Sequence, residues 1–269
     1  MPHEVTAPPI IDTHAHVYKR DMPQPGTAWH QPPADATTQD YLATLDKAGV
    51  RFGVLAAAST YGDYNDYALE ATRNNKRLRT TVIVKPDCDP CVLRDMNGSG
   101  AVGIRFQFRN VASPPDLASY EYRRLLRRVA DLGWHVHLHD DGHRLPHYIS
   151  TLLAAGPRLV IDHLARPSPK HGISSESFRA VLRAVESGNT WVKLSGGFRL
   201  TPPSFADSVV PVLLKEAGPE RLMWGSDWPF AAFEDSVTYE SALNDYYRHV
   251  PDAGVRHAID CTALAFYFS

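Results

Sequence analysis

Four short runs in the chain carry side chains able to move protons or hold a metal: Asp12-Thr13-His14-Ala15-His16, His139-Asp140-Asp141, Asp162-His163 and Gly225-Ser226-Asp227-Trp228-Pro229. Residues two apart on a strand face the same side, so His14 and His16 form a two-imidazole grip on a metal or a polarised oxygen. Asp227 supplies a carboxylate that, near imidazoles, can take a proton from water. Taken singly, each histidine is more often a satisfied structural residue. Convergence of several such runs on one place is what favours chemistry.

Positioning them requires strands whose ends meet. Apolar, β-branched runs recur along the chain: Pro9–Asp12, Phe52–Ala56, Thr80–Val84, Ala101–Phe106, His135–His139, Leu159–Asp162, Trp191–Leu194 and Leu222–Trp224. Between them lie segments of 3.6-residue periodicity, such as Leu42/Leu45 and Leu125/Leu126/Val129/Leu132. Gly49, Gly133, Gly156, Gly188 and Gly218 follow helical segments, where a left-handed cap residue is wanted. Eight βα units predict an α/β chain forming a single (β/α)8 TIM barrel over residues 1–269, with polar residues at the C-terminal strand ends forming the site. Residues Tyr18 to Thr38, with four prolines, Trp29 and His30, form the widest irregular stretch and are expected to cover the mouth. Val250 to Ser269 reads as a terminal helix docking through Leu264, Phe266 and Phe268.

Composition narrows the partners. Of 269 residues, 28 are basic and 30 acidic, with no dense basic run, which argues against nucleic acid. No stretch approaches the roughly 20 apolar residues of a membrane span, and Met1 to Pro9 lacks a charged n-region followed by an apolar one. Three cysteines, an odd number, fit free thiols in a reducing compartment, so the expected location is cytoplasmic. Cys88 and Cys91 make a lone CxxC, but Asp89 and Pro90 between them read as the cap and first residue of a helix.

The ordered set of HxH, Ile161-Asp162-His163-Leu164-Ala165-Arg166-Pro167 and Trp224-Gly225-Ser226-Asp227-Trp228-Pro229, together with Val192-Lys193-Leu194-Ser195-Gly196 and Gly103-Ile104-Arg105-Phe106, resembles the amidohydrolase superfamily. Within it, the chain is similar to the branch containing 2-pyrone-4,6-dicarboxylate lactonase and related sugar and muconolactone lactonases. The resemblance implies an amidohydrolase-type barrel that hydrolyses a lactone carrying carboxylates, a small anionic substrate, in aromatic or sugar-acid catabolism. It further implies Asp227 as general base toward water, with His14, His16 and His163 polarising the ester carbonyl. By the same resemblance Arg105 and Arg199 hold substrate carboxylates, a task suited to the planar guanidinium fork. Arg109 is a further candidate, Ser59 corresponds to a substrate-bonding position, and Tyr61 and His30 are weaker ones.

One departure stands out. This chain has His135, His137 and His139 on one parity, and His139 at the strand end completes, with His14, His16 and Asp227, the mononuclear metal set of other amidohydrolase branches. Two readings stay open: a bound zinc-like divalent ion, required for catalysis or incidental to it, or His139 as a hydrogen-bonding residue only. The metal reading admits a rival function, metal-dependent non-oxidative decarboxylation. A barrel that binds without catalysis would be expected to show a decayed site, and none of the four key positions is decayed.

Overall fold

A computed structural model describes residues 7–168, 170 and 172–269; the first six residues, on which much of the reading of the N-terminus rests, lie outside it. Eight parallel strands are hydrogen-bonded in chain order. They are β1 (Ile11–Ala15), β2 (Phe52–Leu55), β3 (Leu78–Val82), β4 (Ala101–Gln107), β5 (His135–His139), β6 (Arg158–Ile161), β7 (Thr190–Leu194) and β8 (Leu222–Trp224). Parallel neighbours need crossovers, supplied by α1 (Thr38–Ala48), α2 (Asp66–Asn74), α3 (Pro90–Gly98), α4 (Tyr120–Asp131), α5 (Pro146–Ala155), α6 (Glu176–Glu186) and α7 (Ala206–Glu216). Helices α8 (Tyr239–His249) and α9 (Ala253–Tyr267) end the chain. The result is a nearly closed (β/α)8 barrel, as expected.

Local chemistry explains where the elements begin and end. All five glycines expected to stop helices adopt positive φ. Asp89 caps α3, accepting from the Cys91 N–H, with Pro90 in its first turn; Cys88 and Cys91 are free thiols. β1 starts and ends later than the sequence suggests, because Pro8 and Pro9 have no N–H to give a ladder. β3 ends earlier: the Asn65 side-chain amide takes both backbone groups of Ile83, at 2.8 and 3.0 Å, and so replaces the next rung.

The main core lies between sheet and helices, where Leu45, Leu125, Val129, Leu152, Phe178, Val209 and Leu213 are buried. A second cluster closes the end of the barrel opposite the site. There Ala263, Phe266 and Tyr267 of α9 pack on Ile11, Val54, Val160 and Met223, with Leu264 and Phe268 at its margin. The expected docking helix is present, and Tyr267 joins the anchors read from the sequence. No described helix is long and apolar enough to cross a membrane.

The seam between β1 and β8 is built from the chemical motifs. No ladder joins these strands; a single parallel bridge links Ala15 and Trp228. His16 N donates to Trp228 O and Asp227 N to His14 O, both at 2.7 Å. Asp12 fastens the same seam by accepting from Ser226 N at 2.9 Å, Ser226 Oγ at 2.6 Å and His14 N at 3.1 Å. On its other edge β1 takes one residue more than β2 between Asp12 and Ala15, a bulge that re-aims the histidines it carries.

Candidate active site

Asp227 lies at the floor of a cavity of about 240 Å³ at the C-terminal strand ends. It is fully buried and sits at φ +68, a conformation rare outside glycine and common where a site imposes it. Arg199 Nε donates to its Oδ2. Among the described residues its Oδ1 has no hydrogen-bond partner; it faces His16 Nε2 at 3.4 Å and His14 Nε2 at 3.8 Å. Burial alone would push this carboxyl up, but the Arg199 guanidinium and the surrounding imidazoles hold it well below the ordinary carboxylate range. Asp227 is therefore an anion at neutral pH with one open oxygen.

The imidazoles around it differ in what fixes them. His16 Nδ1 lies 2.7 Å from the Ala56 carbonyl, which can only accept, so Nδ1 carries the proton and Nε2 turns a lone pair toward Asp227. His14 is fully buried, and burial pushes its pKa down to about 3. Its Nδ1 stands 3.2 Å from Lys193 Nζ and 3.3 Å from Asp162 Oδ1. His163 Nδ1 is 3.0 Å from Ser195 Oγ and 3.8 Å from Asp227 Oδ2. It opens a run of four left-handed residues, His163, Leu164, Ala165 and Arg166, with φ of 53, 58, 58 and 41°. Such a run costs roughly 1–2 kcal/mol per residue. Gly196, itself at φ +59, is the residue that lets this turn lie close: a Cβ there would meet His163 Nδ1 at 2.6 Å.

The expected metal quartet is not what assembles. The ligand atoms of His14, His16 and Asp227 lie within 4.8 Å of one another and could hold an ion, and so do those of His14, Asp162 and His163. His139 belongs to neither group; its ring packs against His163, centroids 4.7 Å apart, and both its nitrogens lack partners. The strand-end position is as expected, but β5 aims the ring across the cavity at His163 rather than at the HxH pair. His135 and His137 lie deeper in the barrel, and His137 Nε2 is 2.9 Å from the Tyr267 hydroxyl.

The arginines divide into two kinds. Arg105 lines the cavity but is buried, donating from Nε to Asp162 Oδ2 at 3.1 Å and from Nη1 to the Ala57 carbonyl at 2.8 Å. It is first a counter-ion. Arg109 and Arg166 share one oxygen, Asp141 Oδ1, at 3.3 and 3.2 Å, which leaves two cations on one carboxylate at the cavity wall. Ser59 lines the cavity and accepts from Trp29 Nε1 at 3.1 Å. Trp29 and His30 from the long loop line it too, His30 paired with Glu234 at 2.7 Å. Tyr61 does not; it is buried against Tyr18 outside the cavity.

Sequence reasoning assigned no role to Arg166, Asp162 or Lys193. Arg166 stands in the quoted run after β6, and only the left-handed turn brings it round to the cavity. Lys193 had a signal in plain view: a lysine inside an apolar strand of a sheet covered on both faces must be paired. It is fully buried, its Nζ donating to the Thr13 carbonyl at 2.6 Å, and burial lowers its pKa to about 8.

Comparison with known proteins gives the family and the fold. The amidohydrolase family model matches residues 11–268. A 4-sulfomuconolactone hydrolase from Rhizobium radiobacter is 29% identical over 258 residues, covering 92% of this chain and 86% of that protein. A solved Pseudomonas putida protein described as a 2-pyrone-4,6-dicarboxylic acid hydrolase is 34% identical, with a TM-score of 0.88 and coverage of 97% of this chain and 98% of that one. A second such protein, from Acinetobacter baumannii with citric acid bound, superposes with a TM-score of 0.91 at 28% identity, covering 96% and 98% of the two chains.

Proposed function

Given that the chain belongs to the amidohydrolase family, we propose that it is a hydrolase that opens a carboxylated lactone, of the 2-pyrone dicarboxylate or muconolactone kind, by attack of water activated by Asp227. The observation that carries this reading is the open Oδ1 of an ionised, buried Asp227 beneath a cavity lined by arginines. The water oxygen bonds to the lactone carbonyl carbon while Asp227 Oδ1 accepts its proton. That proton returns to the ring oxygen as the ring C–O bond breaks, giving an acyclic hydroxy acid. His14 and His163 surround the carbonyl oxygen as its negative charge develops, where fixed donors are worth most, while His16 turns the lone pair of its Nε2 to the same point. Arg109, Arg166 and Arg199 orient the substrate's carboxylates, Arg105 contributes to the same positive wall, and Ser59 completes it through its hydroxyl.

The ligand atoms of His14, His16 and Asp227 also lie close enough together to hold one zinc-like divalent ion. His16 Nε2 carries a free lone pair fixed by Ala56, Asp227 Oδ1 is unpartnered, and His14 stands third. An ion held there would polarise the carbonyl and acidify a water. This group is also the observation that favours a second reading, metal-dependent decarboxylation. Purified protein assayed against carboxylated lactones and dihydroxybenzoates, with and without chelator, separates the two. Ring opening that survives chelation supports the lactonase; carbon dioxide release abolished by chelation replaces it.

A further inference from the structure

Lys193 reaches the reacting centre from below, and neither proton transfer nor substrate contact uses it. Its Nζ lies 2.6 Å from the Thr13 carbonyl, 3.2 Å from His14 Nδ1 and 3.7 Å from Asp162 Oδ1. An ammonium has three protons and no lone pair. A contact from it to an imidazole nitrogen is favourable only when that nitrogen is the unprotonated one. Asp162 Oδ1 also lies near His14 Nδ1, at 3.3 Å, but makes no aligned hydrogen bond there and is otherwise paired, at 3.7 Å, with Lys193 Nζ itself. The two neighbours of Nδ1 thus ask for opposite tautomers, and the lysine makes the hydrogen bond.

We propose that Lys193 is a positioning residue that holds His14 as the Nε2–H tautomer, making His14 a hydrogen-bond donor to the substrate carbonyl and a poor metal ligand. The carbonyl role rests on the lactonase reading above; the tautomer does not. With Nδ1 accepting from Lys193, the one proton of neutral His14 sits on Nε2, the atom that faces the open oxygen of Asp227. His16 is the opposite case, its proton on Nδ1 and its lone pair outward. The HxH pair therefore presents one donor and one acceptor to the same point. A carbonyl oxygen there takes the donor; a cation there finds one imidazole ready and one turned against it. Without Lys193, Asp162 is left to accept from Nδ1–H, the arrangement that orients an imidazole lone pair toward a metal and raises its basicity.

The test compares wild type with Lys193→Met, which keeps the volume and removes the donor. Imidazole nitrogen NMR of metal-free wild-type protein should show His14 protonated at Nε2, and the variant should show it protonated at Nδ1. Zinc titration monitored by calorimetry should give roughly tenfold or greater tightening in the variant, the range that changes around a metal ligand's second nitrogen produce. Lactone-opening kcat without metal should fall about 10²-fold at little-changed KM, as when one oxyanion donor is lost. A wild-type His14 protonated at Nδ1 would overturn the proposal even if the variant does not fold. So would a folded variant that loses turnover with tautomer and zinc affinity unchanged, since Lys193 would then act only as buried support. Absence of lactone-opening activity in wild type would sink the functional reading alone and leave the tautomer and zinc measurements decisive here.

Discussion

At the scale of single residues, the site turns on how each polar atom is already engaged. Asp227→Asn keeps the shape but leaves an amide that cannot take the proton of the attacking water, so kcat should drop by several orders of magnitude with the fold intact. Steady-state kinetics on protein of native circular dichroism checks this, and a variant keeping a tenth of wild-type turnover would take the base role from Asp227. The arginines should separate by partner. Arg166→Ala removes one of two cations sharing Asp141 and is expected mainly to raise KM for an anionic substrate, by tenfold or more. Arg105→Ala instead strips the buried Asp162 of a counter-ion and should cost about 3–5 kcal/mol of stability, read by chemical denaturation. Equal stability of the two variants would refute that division. The sequence shows which residue types reach the mouth, because strand parity and motif order are local properties. It does not show that Arg105 is engaged, since its partner Asp162 is 57 positions away.

At the scale of elements, the barrel was legible and its joints were not. Period-two apolar runs, helix periodicity and terminal glycines locate eight βα units, because each signal is confined to a few neighbouring residues. The bulge in β1, the early end of β3 at Asn65 and the left-handed turn after β6 depend on contacts between elements and leave no periodic trace. The expected grouping of His139 with the HxH pair is not seen for the same reason: parity puts His139 at the mouth, as expected, but its ring meets His163. That turn makes a sharp prediction. Gly196→Ala places a methyl 2.6 Å from His163 Nδ1 and 3.3 Å from Asp227 Oδ2 at a φ that disfavours it. The turn must shift, so kcat should fall at least tenfold while Tm drops by only a few degrees. Unchanged kinetics would mean that the position of His163 is not critical.

At the scale of the whole molecule, the barrel axis is lined by groups that folding must strip of protons. His14, with a pKa near 3, and His16, His135, His137, His139 and His163 are all buried, and burial holds each below its ordinary value. In the unfolded chain each binds a proton near pH 6.5. Below that pH the unfolded state therefore holds more protons, so the stability these groups allow is complete above about 6.5 and is lost as pH falls. Six such groups give a slope approaching 8 kcal/mol per pH unit, against a total stability of about 5–15 kcal/mol. The protein should unfold cooperatively between about pH 6 and 4.5, while Asp227 is still ionised, so activity and near-UV dichroism should vanish together on acidification. Loss of activity in a fully folded protein would assign the acid limit to a catalytic group instead. A different consequence follows from the irregular stretch after β1. Tyr18 and Ala36 exchange backbone hydrogen bonds at 2.8 and 3.0 Å, so the segment leaves and re-enters the barrel at one point, carrying Trp29 and His30 over the mouth. Residues 19–35 are in effect a cassette whose two ends are clipped together, resting on the scaffold through Trp29 and His30, and an exchanged segment of another length would meet the same anchor with only a small change in closure entropy. New ring sizes and substituents could then be sought by grafting that cassette alone, with the proton-moving groups beneath left untouched.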